Sequence, residues 1–346
     1  MTDCAATGEA DVHVADAPIG SVRVRVCTYN VLAQHLAKSS FFPYAKPYLR
    51  QAARRQRVLR ALAATDADVL FLQEVDEPDA WLLPRLSALG YATAFKQKTC
   101  RKRDGVLVAW REAALACLAC RAVEFEREPG CDPTPDEAAA HGAPPSTGGV
   151  ALAVALQPRA CPALVLCAGT THVWWIPAMR RVKNSQIART AALMEATARE
   201  AAAGVAGPVS CALVLGADFN TSPGDEPYEL ATHILDFTSL ADVAPPAARG
   251  GECTNITDSF RGWLDHIMWK PLSSEGDSDA ASAPRIVLES MRALPELEEV
   301  TRETALPNSV HGSDHVPLVC VLAFQPSSSS PSSSSSSTSS PSSSAP

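Results

Sequence analysis

Val22, Val24 and Val26 alternate with Arg23 and Arg25, the two-residue period of a half-buried strand, which runs into Tyr29-Asn30. Gln51 to Ala64 is rich in helix formers and carries an apolar set at Ala52, Val58, Leu59 and Leu62. DVLFLQEV, Asp68 to Val75, reads as a buried strand with Gln73-Glu74 at its end. Ala80 to Leu89 reads as a helix closed by Gly90, and GVLVAW, Gly105 to Trp110, as another strand. Further strands are predicted over Val150 to Leu156 and over Ala163 to Cys167, the second continuing to Thr170-Thr171-His172. Gln186 to Ala203 presents Ile187, Ala191, Met194 and Ala198 on one helical face. Leu213-Val214-Leu215 starts a core strand that ends in Asp218 and Asn220, before a turn at Thr221-Ser222-Pro223-Gly224. Trp263 to Trp269 and Val316 to Phe324 are the last predicted strands. The stretches 127–149 and 273–283 are polar and read as insertions. Several strands follow one another without a helix between them, so the order predicts two sheets packed face to face with helices outside.

The ends of the chain do not fit a core. Residues 1–20 are small and acidic and read as an unstructured segment. Residues 325–346 are almost entirely Ser and Pro and bury too little apolar area to offset their ordering entropy. The folded unit is therefore expected over 21–324. The net charge of −8 excludes a general nucleic-acid binder, although not a substrate met in one pocket. Two basic runs, Lys96-Lys98-Arg101-Lys102-Arg103 and Arg180-Arg181-Lys183, read on their own as solvated loops. The 11 cysteines include one C-x-x-C, Cys117 and Cys120, with no second pair at zinc-finger spacing, and read as free thiols in a reducing compartment. No apolar run reaches the ~18 residues of a membrane span, and no secretory signal is visible at the start. A cytoplasmic location, with the nucleus also open, is expected.

A set of polar residues stands at or near the ends of these strands, unexplained by the apolar runs. They are Asn30, Glu74, His172, Asp218 with Asn220, Asp265 with His266, and Asp314 with His315. Each has a local explanation, as a cap, a turn or a satisfied core group. One site on a common sheet edge, as in open α/β sheets, explains them together. Glu, Asp and Asn oxygens are hard ligands suited to Mg2+, with Mn2+ an alternative. A hard cation with histidines fits hydrolysis of a phosphate ester, in which carboxylates take protons and imidazole or amide groups stabilise developing charge. Asp314, directly before His315, is a candidate to orient or charge its imidazole, which the fold decides.

TYNVLAQ around Asn30, LQEVD around Glu74, GADFN at Gly216 to Asn220 and GSDHVPL at Gly312 to Leu318 resemble, in order, the motifs of the exonuclease–endonuclease–phosphatase superfamily. THVWWIPAMRRVKNSQ (Thr171 to Gln186) and CTNITDSFRGWLDHIMW (Cys253 to Trp269) resemble its branch of deadenylases, 2′,5′-phosphodiesterases and Angel proteins. The resemblance covers about Val22 to Phe324. It implies a four-layer α/β sandwich, two packed, mainly antiparallel sheets flanked by helices, with a magnesium-dependent site on one edge.

Carried over to matching positions, the resemblance makes Glu74 the principal metal ligand, helped by Asn30. Asp218 and Asn220 would hold and activate water or contact phosphate. His172 and His315 would contact the scissile phosphate, with Asp314 behind His315 and Asp265 completing the network. Pro177 and Phe260 would sandwich an adenine; Asp104, Lys183 and Asn255 would also serve substrate binding. Ile176, Arg181 and His266 depart from residues common in deadenylases. The activity implied is a magnesium-dependent 3′-5′ exoribonuclease that releases 5′-AMP from RNA with an adenosine-rich 3′ end. A 2′,5′-oligoadenylate phosphodiesterase, acting on another adenylate phosphoester, is nearly indistinguishable from it. A nocturnin-like NADP(H) 2′-phosphatase is the second expectation, and an inactive scaffold the third.

Overall fold

The computed structural model describes residues 10–273 and 283–327. The chain enters through β1 (Asp11–His13) and β2 (Val22–Asn30), and helix α1 (Gln51–Thr65) carries it to β3 (Val69–Asp76). Two short helical turns lead to β4 (Tyr91–Gln97) and β5 (Asp104–Arg111). The second sheet begins with β6 (Leu115–Glu124), β7 (Val150–Pro158) and β8 (Leu164–Thr171), and helix α2 (Arg180–Ala203) crosses to β9 (Ser210–Asp218). Short β10 (Thr238–Ser239) and the hairpin β11 (Asn255–Ile256) and β12 (Arg261–Gly262) precede β13 (Asp265–Leu272). The chain then returns to the first sheet as β14 (Arg285–Arg292) and β15 (Leu318–Gln325).

The first sheet has seven strands in the order β1-β14-β15-β2-β3-β5-β4, and the second has six, β10-β13-β9-β8-β7-β6. Each sheet is antiparallel but for one pair, β2 with β3 and β8 with β9. A parallel pair needs a crossover, and the two long helices provide these. Val58 and Leu62 of α1 pack on the outer face of the first sheet with Tyr29, Leu70 and Leu72. Ile187, Ala191, Met194 and Ala198 of α2 belong to the core of the second. Helix, sheet, sheet and helix make the expected four layers.

The sheets meet closely where the site will lie. A Cβ on Gly216 of β9 would stand 2.2 Å from the Phe71 ring of β3, so that contact requires glycine. Beside it the buried Gln73 amide donates to Thr28 Oγ1 in its own sheet, and to Thr170 Oγ1 and the Gly216 carbonyl in the other.

Three expectations change. Residues 1–20 do not lie wholly outside the fold: Asp11–His13 pairs with β14, because Val12 and Val14 pack on the core and Asp11 bonds Arg25. The insertion 127–149 is packed, with a capped helix at Pro135–His141, and Arg181 bonds Glu137 and the carbonyls of Gly130 and Asp132. The predicted helix 80–89 is two short pieces, Pro78–Trp81 and Leu83–Ala88, since Pro84 interrupts it. Most of the 273–283 insertion, and the tail beyond Ser327, lie outside the described residues. Among the described residues no helix is long and apolar enough to cross a membrane.

Candidate active site

Strand direction and register bring the polar residues to one edge. β2 and β3 run parallel, and their pairing finishes at Asn30 and Gln73. β8 and β9 do the same, with His172 bridged to Asp218. Asp104, Asp265 and His315 come to the same edge from the opposite direction. They stand at the starts of antiparallel strands, opposite Asp76, opposite Asp218, and just before the Leu318–Thr28 pair. Asn30, Glu74, His172 and Asp218 therefore stand at strand carboxyl ends, and Asp104, Asp265 and His315 at or before strand starts.

Glu74 reaches the site through a strained backbone. The β3–β5 register slips between Leu72 and Val75, and Glu74 has φ 55°. Such a bulge re-aims a side chain at the cost of local strain. Its carboxylate accepts Asn30 Nδ2 at 3.0 Å and the Ala33 amide at 2.9 Å. Burial, with Asp104 adding to it, pushes its pKa up to about 7.

Asn30 donates to Asp218 as well, at 2.9 Å, while its Oδ1 accepts from the Leu32 amide. It thus presents N–H groups, not oxygen, to both carboxylates. It holds the two carboxylates together. Asp218 is buried, and its pKa rises to about 6 through burial and Asp265, partly opposed by His315. Its Oδ1 accepts from the Asn220 amide at 2.9 Å. Asn220 has φ 49° and anchors its own side chain on the Val173 carbonyl.

His315 pairs with Asp265, not with Asp314. Its Nδ1 lies 2.7 Å from Asp265 Oδ2, while Asp314 Oδ2 accepts from Asn255 Nδ2 at 3.1 Å. The Asp314 carboxylate is engaged by Asn255, so the sequence-adjacent acid is not the hydrogen-bond partner. Burial alone would lower the His315 pKa, but Asp265, Asp314 and Asp218 hold it well above the ordinary value. His172 goes the other way: burial, then Lys98, keeps it well below. Nε2 of His172 is 3.6 Å from Asp218 Oδ2, and that of His315 is 3.7 Å from the same oxygen.

A cleft of about 670 Å³, a ligand-sized volume, opens over this cluster. Glu74, Asp104, His172, Asp218, Asn220, Asn255, Asp314 and His315 line it, as do Pro177 and Phe260; Asp265 lies behind His315. Phe260 is 45% and Trp175 61% exposed, and both line the cleft. Lys183 does not line it. Its ammonium is spent on the Asn220 carbonyl at 2.6 Å and Thr221 Oγ1, and burial lowers its pKa to about 8. It braces the loop after β9 rather than binding substrate. His266 braces the same loop through Thr221 O at 2.8 Å. Gln186 ties the insertion to the Trp174 backbone.

His35 lines the cleft without a motif that points to it, Trp175 lines it from the family-like stretch Thr171 to Gln186, and Lys98 and Lys102 come from the run read as a solvated loop. The turn in that loop has two consecutive left-handed residues, Cys100 and Arg101. They fold Lys98 inward onto Asp104, 2.6 Å away, where it is hidden from an inspection of local charge.

The donor set suits a hard divalent cation. Glu74, Asp104, Asp218 and Asp265 are buried acids at one edge, and Asp265 Oδ1 has no hydrogen-bond partner. Ligand atoms of Asp218, Asp265 and His315 lie within 4.8 Å of one another. Within that trio His315 is bonded to Asp265, while Glu74 stands across Asn30 from Asp218.

The profile of the Endonuclease/Exonuclease/phosphatase family matches residues 27–315. This chain belongs to that family. Human protein angel homolog 2 is 31% identical over 212 residues, which cover 59% of this chain and 36% of that protein. Human 2′,5′-phosphodiesterase 12 is 26% identical over 340 residues, 87% of this chain and 52% of that protein. The chain thus spans about half the length, or less, of these curated relatives. The crystal structure of ANGEL2, described as a 2′,3′-cyclic phosphatase, superposes with TM-score 0.70 at 22% identity, over 90% of this chain and 98% of that one. The human nocturnin catalytic domain gives 0.63 at 20%, over 91% and 98%. Both share the family's two-sheet fold. The family match runs from Cys27 to His315 and so contains every site residue described above.

Proposed function

We propose that this member of the family is a divalent-metal-dependent phosphoesterase that removes adenylate from the 3′ end of adenosine-rich RNA. The observation that carries this is the single cleft in which acids and histidines on one edge face the apolar surfaces of Pro177 and Phe260. Flat apolar groups stack on a base, while charged groups handle its phosphate. Magnesium or manganese held by Glu74 would neutralise charge on the phosphoryl oxygens. His315, protonated against Asp265, donates to a phosphoryl oxygen. His172 donates from its neutral ring. Asp218 accepts a proton from the attacking water and is kept in place by Asn30 and the Asn220 amide.

A second reading has the same ribose end with a different ester. ANGEL2 has also been crystallised with adenosine-2′,3′-vanadate, so a terminal 2′,3′-cyclic phosphate is a further candidate bond. Purified protein with magnesium is to be offered A20 RNA, mixed-sequence RNA, 2′,5′-linked triadenylate, RNA ending in a 2′,3′-cyclic phosphate, and NADPH. The expected result is 5′-AMP from A20. Ring opening without chain shortening would assign the cyclic phosphatase, and phosphate from NADPH with intact RNA would assign the nocturnin-like reaction. No hydrolysis at all would leave the scaffold.

Stacking on one aromatic face is worth about 1–3 kcal/mol per base. Phe260→Ala is therefore expected to cost about tenfold or more in kcat/KM on A20 and less on U20. An equal loss on both would remove Phe260 as the adenine platform.

A further inference from the structure

We infer that Lys98, pinned by Asp104, is the positioning residue that fixes the tautomer of His172, so that its imidazole meets the substrate as a neutral Nε2–H donor. Lys98 Nζ lies 2.6 Å from Asp104 Oδ2 and 3.2 Å from His172 Nδ1. An ammonium has three protons and no lone pair, so it can only donate. Nδ1 of His172 must then supply the lone pair, and the one proton of a neutral imidazole is left on Nε2. That nitrogen faces Asp218 Oδ2 at 3.6 Å, on the cleft side.

Two features keep the arrangement single-valued. Asp104 is 2% exposed, and His35 Nε2 stands 3.8 Å from its other oxygen, so the carboxylate that holds Lys98 is itself enclosed. A proton on His172 Nδ1 would set N–H against the ammonium 3.2 Å away, two donors with no acceptor between them. An imidazole is usually oriented by an acceptor, which leaves the distal nitrogen basic. Here the orienting group is a cation, and the distal nitrogen is a donor. His172 is thereby excluded from taking the proton of the attacking water, and the two histidines that flank Asp218 both reach the phosphate as donors, one charged and one neutral.

The kinetic part of this inference rests on the phosphoesterase reading; the tautomer does not, and it is read on the free protein. With 15N-labelled histidine and magnesium in the buffer, long-range proton–nitrogen spectra distinguish the two ring nitrogens, and His172→Gln identifies the His172 signals by their loss. The expected wild-type pattern is a bare Nδ1 and a protonated Nε2. Lys98→Met keeps the aliphatic stem and removes the donor; it is expected to bring in the Nδ1–H form and to lower kcat by about 10²-fold, the scale of one lost donor, with KM little changed. Lys98→Arg, still a donor, is expected to restore the wild-type pattern. A protonated Nδ1 in the wild type would overturn the inference. So would a folded Lys98→Met protein with an unaltered His172 pattern. If Lys98→Met does not fold, the wild-type spectrum alone decides. Absence of hydrolysis by the wild type would count against the proposed function and leave the tautomer result standing.

Discussion

Glu74→Gln is expected to lower kcat on the preferred phosphoester by about 10³-fold or more, with the fold intact. The charge stabilisation that a bound cation supplies is worth several kcal/mol, and each 1.36 kcal/mol is tenfold in rate. Glutamine keeps the size of the side chain and an oxygen for the Ala33 amide, now 2.9 Å from Glu74 Oε2, but removes the negative charge. Its NH2 group then faces Asn30 Nδ2, which now donates to Glu74 Oε1 at 3.0 Å, so the variant should stay folded with a lowered melting temperature while isothermal titration shows weaker Mg2+ binding. Turnover within tenfold of wild type would mean that Glu74 is not the principal ligand. The strained backbone at this position, φ 55°, would then serve only the hydrogen bonds to Asn30 and Ala33. An unchanged affinity for Mg2+ with lost turnover would instead place Glu74 in the chemistry and not in the cation site.

Asp265→Asn is expected to cost about 10²- to 10⁴-fold in kcat, the range in which buried aspartate–histidine pairs lose function when the acid becomes an amide. His315 is buried, and burial by itself lowers its pKa; Asp265 is the leading group that raises it. In the wild type the imidazole therefore stays protonated from acid pH up through its ordinary range near 6.5. In the variant the protonated form is lost as pH rises through that range or below it. The expected pH–rate profile of the variant falls on its alkaline side at lower pH than that of the wild type. Asp314→Asn, by contrast, leaves the 2.7 Å His315–Asp265 bond in place and is expected to shift the profile less. Equal shifts from the two substitutions would restore the sequence-adjacent acid as partner.

Much of the site was legible because it interrupts a strong local pattern. An apolar strand has no use for Glu74 or Asp218 at its end, and four such interruptions in one order resemble one family. The same pattern predicted the two long crossover helices and the succession of strands from which the layered architecture follows. Three strands were not so plain. β4, β6 and β14 are only partly buried, with no clean two-residue alternation of buried and exposed positions. Asp11–His13 was hidden for a related reason: three residues cannot show a period, and their place is set by β14, far along the chain.

What the sequence by itself determined is therefore the inventory: which residues carry oxygen and imidazole, and on which strands they ride. Tertiary structure decided how they are partnered. Asp265 and His315 are 50 residues apart and meet because β13 and β15 start at the same edge of different sheets. Lys183, within the most family-like stretch, is turned away to the Asn220 carbonyl, and Lys98, from a run that reads as solvated, is drawn in by Asp104. A side chain's type and its local period are properties of neighbours along the chain. Its hydrogen-bond partner and its charge state depend on register, burial and strand direction, which exist only once the two sheets have closed on each other.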